Sequence, residues 1–227
     1  MKIYGLQKLS LVDWPGLTVA TLFTGGCNFD CPYCQNSSLV EDLPSPFSNE
    51  EIFDYLKLRK NLLDGVCISG GEPLIHSDIE EFIKDIKALG YRVKLDTNGS
   101  FPERLEGLIK SGLVDYVAMD IKNIPKKYPL TAGCAADTSG VFASADLLIC
   151  CGTDFEFRTT VSPSLHEPGD FDLLGKRLKG ARAYYLQAFR LSEGVRDKSL
   201  AEPDSQFMEN CLARLKIYLP DARIRGI

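Results

Sequence analysis

The segment GGCNFDCPYCQN, residues 25 to 36, places three cysteines within eight positions: Cys27, Cys31 and Cys34. Cys31 and Cys34 alone would form the Cys-x-x-Cys pair of a glutaredoxin-type redox protein. Cys27 extends this pair to a Cys-x3-Cys-x2-Cys triplet, which suits metal binding. Zinc sites and ordinary iron–sulfur clusters take four protein ligands, so three cysteines would leave one iron of a [4Fe–4S] cube open. The triplet alone leaves a redox pair, a zinc knuckle and an open cluster as alternatives.

The composition is that of a globular protein. The chain has 227 residues, 44% of them hydrophobic and 25% charged, which predicts one α/β domain over residues 1–227. A net charge of −5 argues against nucleic acid or an anionic membrane as the main partner. The sequence contains neither an apolar run long enough to span a membrane nor a secretory signal, so we expect a cytoplasmic protein.

Five further cysteines lie outside the triplet, and none forms a second Cys-x-x-Cys pair: Cys67, Cys134, Cys150, Cys151 and Cys211. In a reducing compartment they need not form disulfides. Unpaired cysteine is among the most buried residue types. We therefore expect these five to be small buried hydrophobic residues.

A β-rich run followed by a helical pattern recurs six times along the chain. The predicted strands are residues 18–23, 66–69, 92–95, 114–119, 155–161 and 184–189, and the helices begin near residues 48, 77, 102, 141, 170 and 206. Ser48-x-x-Glu51 and Ser77-x-x-Glu80 are predicted to cap the first two helices. Six alternations predict a parallel sheet covered by helices, either a doubly wound sheet or an incomplete barrel.

The position of the unusual residues favours the incomplete barrel. They lie at or just beyond the carboxyl ends of predicted strands, the end at which α/β barrels build their active sites. The set comprises the cysteine triplet, Gly70-Gly71-Glu72-Pro73, Asp96-Thr97-Asn98-Gly99, Asp120-Ile121-Lys122, Arg158 and Gln187-Ala188-Phe189. The predicted fold class is α/β, an incomplete (β/α)6 TIM-type barrel.

The cysteine triplet, with the aromatic Tyr33 before its last member, resembles the signature of the radical S-adenosylmethionine (radical SAM) superfamily. The downstream motifs of that superfamily also occur in order over nearly the whole chain. The resemblance implies that Cys27, Cys31 and Cys34 hold a [4Fe–4S] cluster and that S-adenosylmethionine binds the fourth iron. It further implies that the cluster and cofactor carry the chemistry, with no additional catalytic residue.

The resemblance also implies a set of cofactor contacts. Gly70-Gly71-Glu72 is similar to the motif that binds the methionine amino group, and Asp96-Thr97-Asn98 to the segment that contacts the ribose. Asp120 with Lys122 can supply an anion and a cation, and Arg158 suits the cofactor carboxylate. Tyr33 belongs to the signature, and Gln187 and Phe189 suit the adenine edge and face. The simpler alternatives are glycine turns, a surface ion pair and an amphipathic strand end.

Two further segments resemble the activases of glycyl-radical enzymes, namely Leu11-Val12-Asp13-Trp14-Pro15-Gly16 and Asp120-Ile121-Lys122. The stretches GLQKLSLVDWPG (residues 5–16) and TLFTGGCNFDCPYCQN (21–36), with EFRTTV (156–161) and YLQAF (185–189), look most like the longer anaerobic ribonucleoside-triphosphate reductase activating proteins. Gln35 stands where activases often carry histidine. The resemblance implies reductive cleavage of S-adenosylmethionine, formation of a 5′-deoxyadenosyl radical, and a glycyl radical on a partner enzyme. It implies flavodoxin or ferredoxin as the electron donor.

Two other functional classes remain open. A radical SAM enzyme that acts on a small molecule or peptide would share every cofactor motif, as would the activase of another glycyl-radical enzyme. An iron–sulfur electron carrier would share only the cysteines. The two histidines, His76 and His166, lie in loops and are expected to be solvated, without a catalytic role.

Overall fold

The computed structural model describes residues 1–40, 45–135 and 137–226. The strands are β1 (Ile3–Ser10), β2 (Val19–Thr24), β3 (Gly65–Gly70), β4 (Arg92–Thr97), β5 (Tyr116–Asp120), β6 (Asp154–Val161), β7 (Tyr184–Ala188) and β8 (Arg223–Arg225). They follow one another in the sheet in chain order. β1 is antiparallel to β2, whereas the pairs β2–β3, β3–β4, β6–β7 and β7–β8 are parallel.

Within the described residues, seven α-helices connect or follow these strands: α1 (Asn49–Leu58), α2 (Ile79–Ala88), α3 (Pro102–Lys110), α4 (Tyr128–Ala132), α5 (Thr138–Cys150), α6 (Asp170–Arg177) and α7 (Ser205–Lys216). The predicted capping box of α1 is confirmed, because Ser48 and Glu51 each bond the other's backbone N–H. The predicted cap of α2 is wrong. Asp78 occupies the N-cap of that helix and makes no side-chain cap bond.

The six predicted strand–helix units are all present, but the sequence reasoning missed one strand at each end of the chain. The alternation in β1 is blurred, since its middle residues are half-buried or exposed. β8 has only three residues. Its Arg225 makes two 2.8 Å bonds to the buried carboxylate of Glu156 in β6, a pairing between residues far apart in the sequence.

The chain divides into two compact units. Unit 1 comprises residues 1–28, 38–97 and 101–118, and unit 2 comprises residues 29–37, 98–100 and 119–227. Within unit 1, the parallel register pairs Thr24 with Gly70 and Ile68 with Leu95, so β2, β3 and β4 end at one edge. Within unit 2, β6, β7 and β8 are likewise parallel. One unit boundary falls inside the cysteine segment, between Asn28 and Phe29.

Candidate active site

In unit 1, the glycine pair at the end of β3 lies directly against the start of the cysteine segment. The Gly71 N–H donates to Thr24 O at 2.9 Å, and the Glu72 N–H donates to Gly26 O at 2.9 Å. A Cβ on Gly71 would lie 1.8 Å from Gly26 O, closer than any side chain allows. Glycine is therefore required here so that one backbone can support the other.

Glu72 is fully buried in unit 1. Its Oε1 accepts hydrogen bonds from the Leu74 N–H at 3.0 Å and from the Thr97 hydroxyl at 2.8 Å. These bonds cap the short helical turn after the glycine pair and connect it to the end of β4. The Gly-Gly-Glu motif and Thr97 are thus brought together, and the carboxylate is held at the edge where β2, β3 and β4 end.

Asp96 of β4 lies in a polar cluster with Lys94 of the same strand and with Cys67 and Ser69 of the neighbouring β3. The Ser69 hydroxyl donates to its Oδ2 at 3.1 Å, and the ammonium of the buried Lys94 pairs with its Oδ1. Cys67 lies 3.7 Å from the same carboxylate. Sequence reasoning missed Lys94. The signal was available, because residues two apart in a strand point to the same face.

The Asp13-Trp14-Pro15-Gly16 segment precedes β2 and therefore lies at the end of that strand remote from Cys27. The carboxylate of Asp13 accepts a 2.5 Å bond from the Thr21 hydroxyl. Trp14 is buried, with its ring centroid 5.8 Å from that of Tyr116 and the Arg92 guanidinium 4.9 Å above it. In unit 1 this segment packs against the amino end of β2.

In unit 2, Cys31 and Tyr33 are buried and Cys34 is half-buried. The Cys34 N–H donates to Cys31 O at 3.0 Å, which makes a tight turn. Burial raises the pKa of the Cys31 thiol, an effect that the nearby Lys122 ammonium opposes. Burial also raises the pKa of Tyr33, whose ring centroid lies 5.7 Å from Lys122 Nζ. The second half of the triplet therefore lies in a largely buried region with one cation close by.

Asp120, at the end of β5, interacts with two cations near the turn of residues 31–34. Asp120 lies 3.4 Å from Lys122 Nζ and accepts a 3.0 Å bond from Arg158 Nε. Burial lowers the pKa of Lys122. The negative charges that Cys31, Tyr33 and Asp120 carry when ionised raise it by more, so the net pKa is well above its usual range. Arg158, expected to seek a carboxylate, has that of Asp120 within unit 2.

The remaining predicted residues of unit 2 differ in exposure. Asn98 is buried, and its Oδ1 accepts bonds from both the N–H and the hydroxyl of Ser100. Gln187 is half-buried and pairs in register with Arg225 of β8. Phe189 is 1% exposed, so its ring is enclosed by protein.

A segment after β7, residues 190–197, lies against the turn formed by residues 31–34. We call the segment the strap and the turn the cysteine turn. Gln35 donates to Arg190 O at 3.0 Å, the Asp197 N–H donates to Pro32 O at 3.0 Å, and Arg196 pairs with Asp30. A Cβ on Gly194 would lie 2.1 Å from Gln35 O, so this contact requires glycine. The strap was not predicted, since its bonds are mostly to backbone atoms of a distant segment.

Two expectations about single residue types need correction. Cys67 and Cys211 are buried as predicted, and burial raises the pKa of Cys211 to about 12. Cys134 and Cys151 are only half-buried, however, and Cys150 is exposed. His166, expected in solvent, is 2% exposed.

The donor set can be compared with the groups it would hold. In the described part of the chain, no three His, Cys, Asp or Glu side chains are grouped to hold a single metal ion. Zinc needs its ligands around one ion, whereas a [4Fe–4S] cube takes one cysteine on each iron. Three cysteines within eight residues, Cys31 buried and Cys27 and Cys34 half-buried, would supply one thiolate to each of three irons of such a cube. Acidic and basic side chains at strand ends fit a zwitterionic cofactor.

Among the helices described, none could cross a membrane.

The chain is similar in sequence to known proteins. A model of the radical SAM superfamily matches residues 21–134. A Methanocaldococcus jannaschii protein named "Putative glycyl-radical enzyme activating enzyme MJ1227" is 32% identical over 232 residues, which cover 99% of this chain and 96% of that protein. The pyruvate formate-lyase-activating enzyme of Listeria monocytogenes is 30% identical over 141 residues, about half of each chain (56% and 56%).

A solved structure extends the likeness to the fold. SuiB of Streptococcus suis, bound to S-adenosylmethionine, superimposes with a TM-score of 0.69 at 14% identity, over 91% of this chain and 52% of that one. At this identity the likeness concerns the fold alone. It confirms the predicted fold class.

Proposed function

The chain belongs to the radical SAM superfamily, whose enzymes use a [4Fe–4S] cluster and S-adenosylmethionine, and from this premise we propose that it generates a glycyl radical on a partner enzyme. The observation that carries the proposal is the 32% identity to a named glycyl-radical enzyme activating enzyme over 99% of the chain. Relatives that are matched over only about half of their length support membership of the superfamily but say little about the substrate.

We propose that Cys27, Cys31 and Cys34 bind the cluster. The residues proposed to hold S-adenosylmethionine are Tyr33, Gly70, Gly71, Glu72, Asp96, Thr97, Asn98, Asp120, Lys122, Arg158, Gln187 and Phe189. When bound, the cluster and cofactor supply reductive cleavage of a sulfonium and removal of a hydrogen atom. The protein's own part is to orient the cofactor: Glu72 attracts an ammonium, Asp96 accepts hydroxyl bonds, and Lys122 attracts a carboxylate.

The proposed substrate is a glycine in the backbone of a glycyl-radical enzyme. Glycine is a sensible target, because its Cα radical is stabilised by the flanking amides and no side chain blocks the approach. We propose anaerobic ribonucleoside-triphosphate reductase as the partner, on the resemblance of several segments to its activating proteins. Flavodoxin or ferredoxin would deliver the electron. A cytoplasmic setting agrees with eight cysteines, since thiols stay reduced there.

The cluster assignment is tested with single Cys→Ala variants reconstituted anaerobically. Cys27→Ala, Cys31→Ala and Cys34→Ala should each lose the [4Fe–4S] absorption and most of the iron. Cys150→Ala, at an exposed cysteine, should keep both and serves as the control. Loss of the cluster in the Cys150 variant would overturn the assignment.

The activase reaction is tested by mixing the reduced protein and S-adenosylmethionine with anaerobic ribonucleotide reductase. Electron paramagnetic resonance should show a doublet that becomes a singlet when the reductase carries α-deuterated glycine. A signal only with another glycyl-radical enzyme would move the proposal to that partner. Cofactor cleavage without a glycyl radical on any such enzyme would favour a small-molecule or peptide substrate.

A further inference from the structure

His166 lies in the loop between β6 and α6 and is almost completely buried. Its Nε2 is 2.8 Å from Lys122 O, and its Nδ1 is 3.3 Å from both the backbone N and the backbone O of Ser162. A carbonyl can only accept, so the shorter contact to Lys122 O places the hydrogen on Nε2. In the neutral ring Nδ1 then accepts from the Ser162 N–H, and the Ser162 carbonyl accepts from the His166 backbone N–H at 2.9 Å. Burial lowers the pKa of His166, which keeps the ring in this neutral form.

The backbone of Lys122 is held on both sides by side chains rather than by a neighbouring strand. The Lys122 N–H donates to the Tyr128 hydroxyl at 3.3 Å, and its carbonyl accepts from His166. One residue earlier, the Ile121 N–H still donates to Arg158 O of β6 at 2.8 Å. Directly after Ile121, side chains bond the backbone of Lys122: the Tyr128 hydroxyl accepts from its N–H, and the His166 ring donates to its carbonyl.

We propose that His166 is a positioning residue: by donating to the Lys122 carbonyl it sets the direction in which the Lys122 ammonium points, and thereby the affinity for the carboxylate of S-adenosylmethionine. This inference rests on the proposed function, in which Lys122 contacts the cofactor. The ammonium lies between Asp120 and the Tyr33 ring, so a rotation of the Lys122 backbone would move it away from both.

A purely structural role would be shared with other contacts between the same segments. Asn123 donates to Leu165 O at 2.9 Å, and the Lys127 ammonium lies 2.8 Å from Asp170. These contacts already join the loop to the segment after β5. The His166 bond differs because it is made to Lys122 itself.

Two substitutions separate positioning from packing. In His166→Gln the amide nitrogen can take the place of Nε2 and still donate to Lys122 O. In His166→Asn the shorter amide reaches only the place of Nδ1, so the Lys122 carbonyl loses its donor. Both variants disturb the packing of the loop. Lys127→Met removes a contact between the same two segments and serves as the control.

Three measurements are made on each protein: the thermal unfolding midpoint, hydrogen–deuterium exchange of the peptide spanning residues 121–124, and the Kd for S-adenosylmethionine after cluster reconstitution. We expect His166→Asn to bind S-adenosylmethionine up to about tenfold more weakly, with faster exchange of that peptide. The bond to Lys122 O stabilises the conformation that presents the ammonium, and losing one hydrogen bond lowers the population of that conformation by up to about this factor. His166→Gln and Lys127→Met should stay within about twofold of the wild-type Kd.

Equal Kd values for the Gln and Asn variants would overturn the positioning role, whatever their unfolding midpoints. Unchanged exchange of residues 121–124 in His166→Asn would overturn the contact on which it depends. A wild-type protein that carries a full cluster yet does not bind S-adenosylmethionine would instead overturn the proposed function, a failure visible before any variant is made.

Discussion

At the scale of single residues, the contact between Gly71 and Gly26 constrains the candidate site most strongly. It leaves no room for a side chain and places two backbones in direct contact at the base of the cysteine segment. Gly107 lies in the middle of α3, and a Cβ there would meet no atom within 4 Å. The two glycines therefore make a matched pair.

Gly71→Ala should destabilise the apoprotein by about 1–3 kcal/mol, the usual cost of forcing atoms into a filled space. Gly107→Ala should stabilise it by about 0.5–1 kcal/mol, because alanine is the better helix residue. Urea unfolding measures both. A Gly71→Ala protein as stable as the wild type would show that the close approach is not needed.

The two histidines predict the pH dependence of stability. Burial lowers the pKa of both His76 and His166 in the folded protein. As the pH falls below about 6.5, the unfolded chain takes up protons first, so the histidine contribution is complete above that pH and is lost below it. The unfolding free energy of the apoprotein, measured with urea, should therefore be lower at pH 5.5 than at pH 7.5.

A double variant, His76→Gln with His166→Gln, provides the comparison, since the chain has no other histidine. Its loss of stability between pH 7.5 and 5.5 should be smaller than that of the wild type. An equal loss in both proteins would assign the pH dependence to carboxylates instead.

At the scale of elements, the strap stabilises the cysteine turn from outside any regular structure. Its backbone donates to Pro32 O and accepts from the Gln35 side chain, and Arg196 forms an ion pair with Asp30. The ion pair is exposed and contributes little on its own. The close contact at Gly194 is what requires the strap to lie directly on the turn.

Gly194→Ala should therefore push the strap off the turn and open the proposed cluster site to solvent. We expect the reconstituted protein to lose its cluster several-fold faster in air, followed by the decay of visible absorption. Gly152→Ala is the control, because a Cβ there meets no atom within 4 Å. Equal decay in the two variants would separate the strap from protection of the cluster.

At the scale of the whole molecule, the two units are interleaved in sequence. The chain passes between them five times, at residues 28–29, 37–38, 97–98, 100–101 and 118–119. Neither unit is a continuous segment. A single domain over residues 1–227 remains our prediction, because unfolding one unit would release the ends of segments that belong to the other.

We therefore expect one cooperative unfolding transition. Trp14, the single tryptophan, lies in unit 1 and reports on it by fluorescence, whereas far-ultraviolet circular dichroism reports on all helices. The two urea curves of the apoprotein should coincide, as in two-state unfolding. A tryptophan transition at a clearly different midpoint would show that the units unfold separately.

The sequence by itself determined the cysteine triplet, the order of the strand-end motifs and the α/β class. Each depends on local spacing: ligand spacing in the triplet, period-two and period-3.6 hydrophobic patterns in the elements. The limits of α3, Pro102–Lys110, were predictable for the same reason, since proline marks its first turn.

Only the tertiary structure decided which distant atoms these local features meet. The burial of His166, the strap on the cysteine turn and the Arg225–Glu156 bond of β8 were all unpredicted. In each case the contacts join residues that are distant in the sequence. Such contacts leave no periodic signal, because they depend on backbone carbonyls and single side chains that the fold brings together.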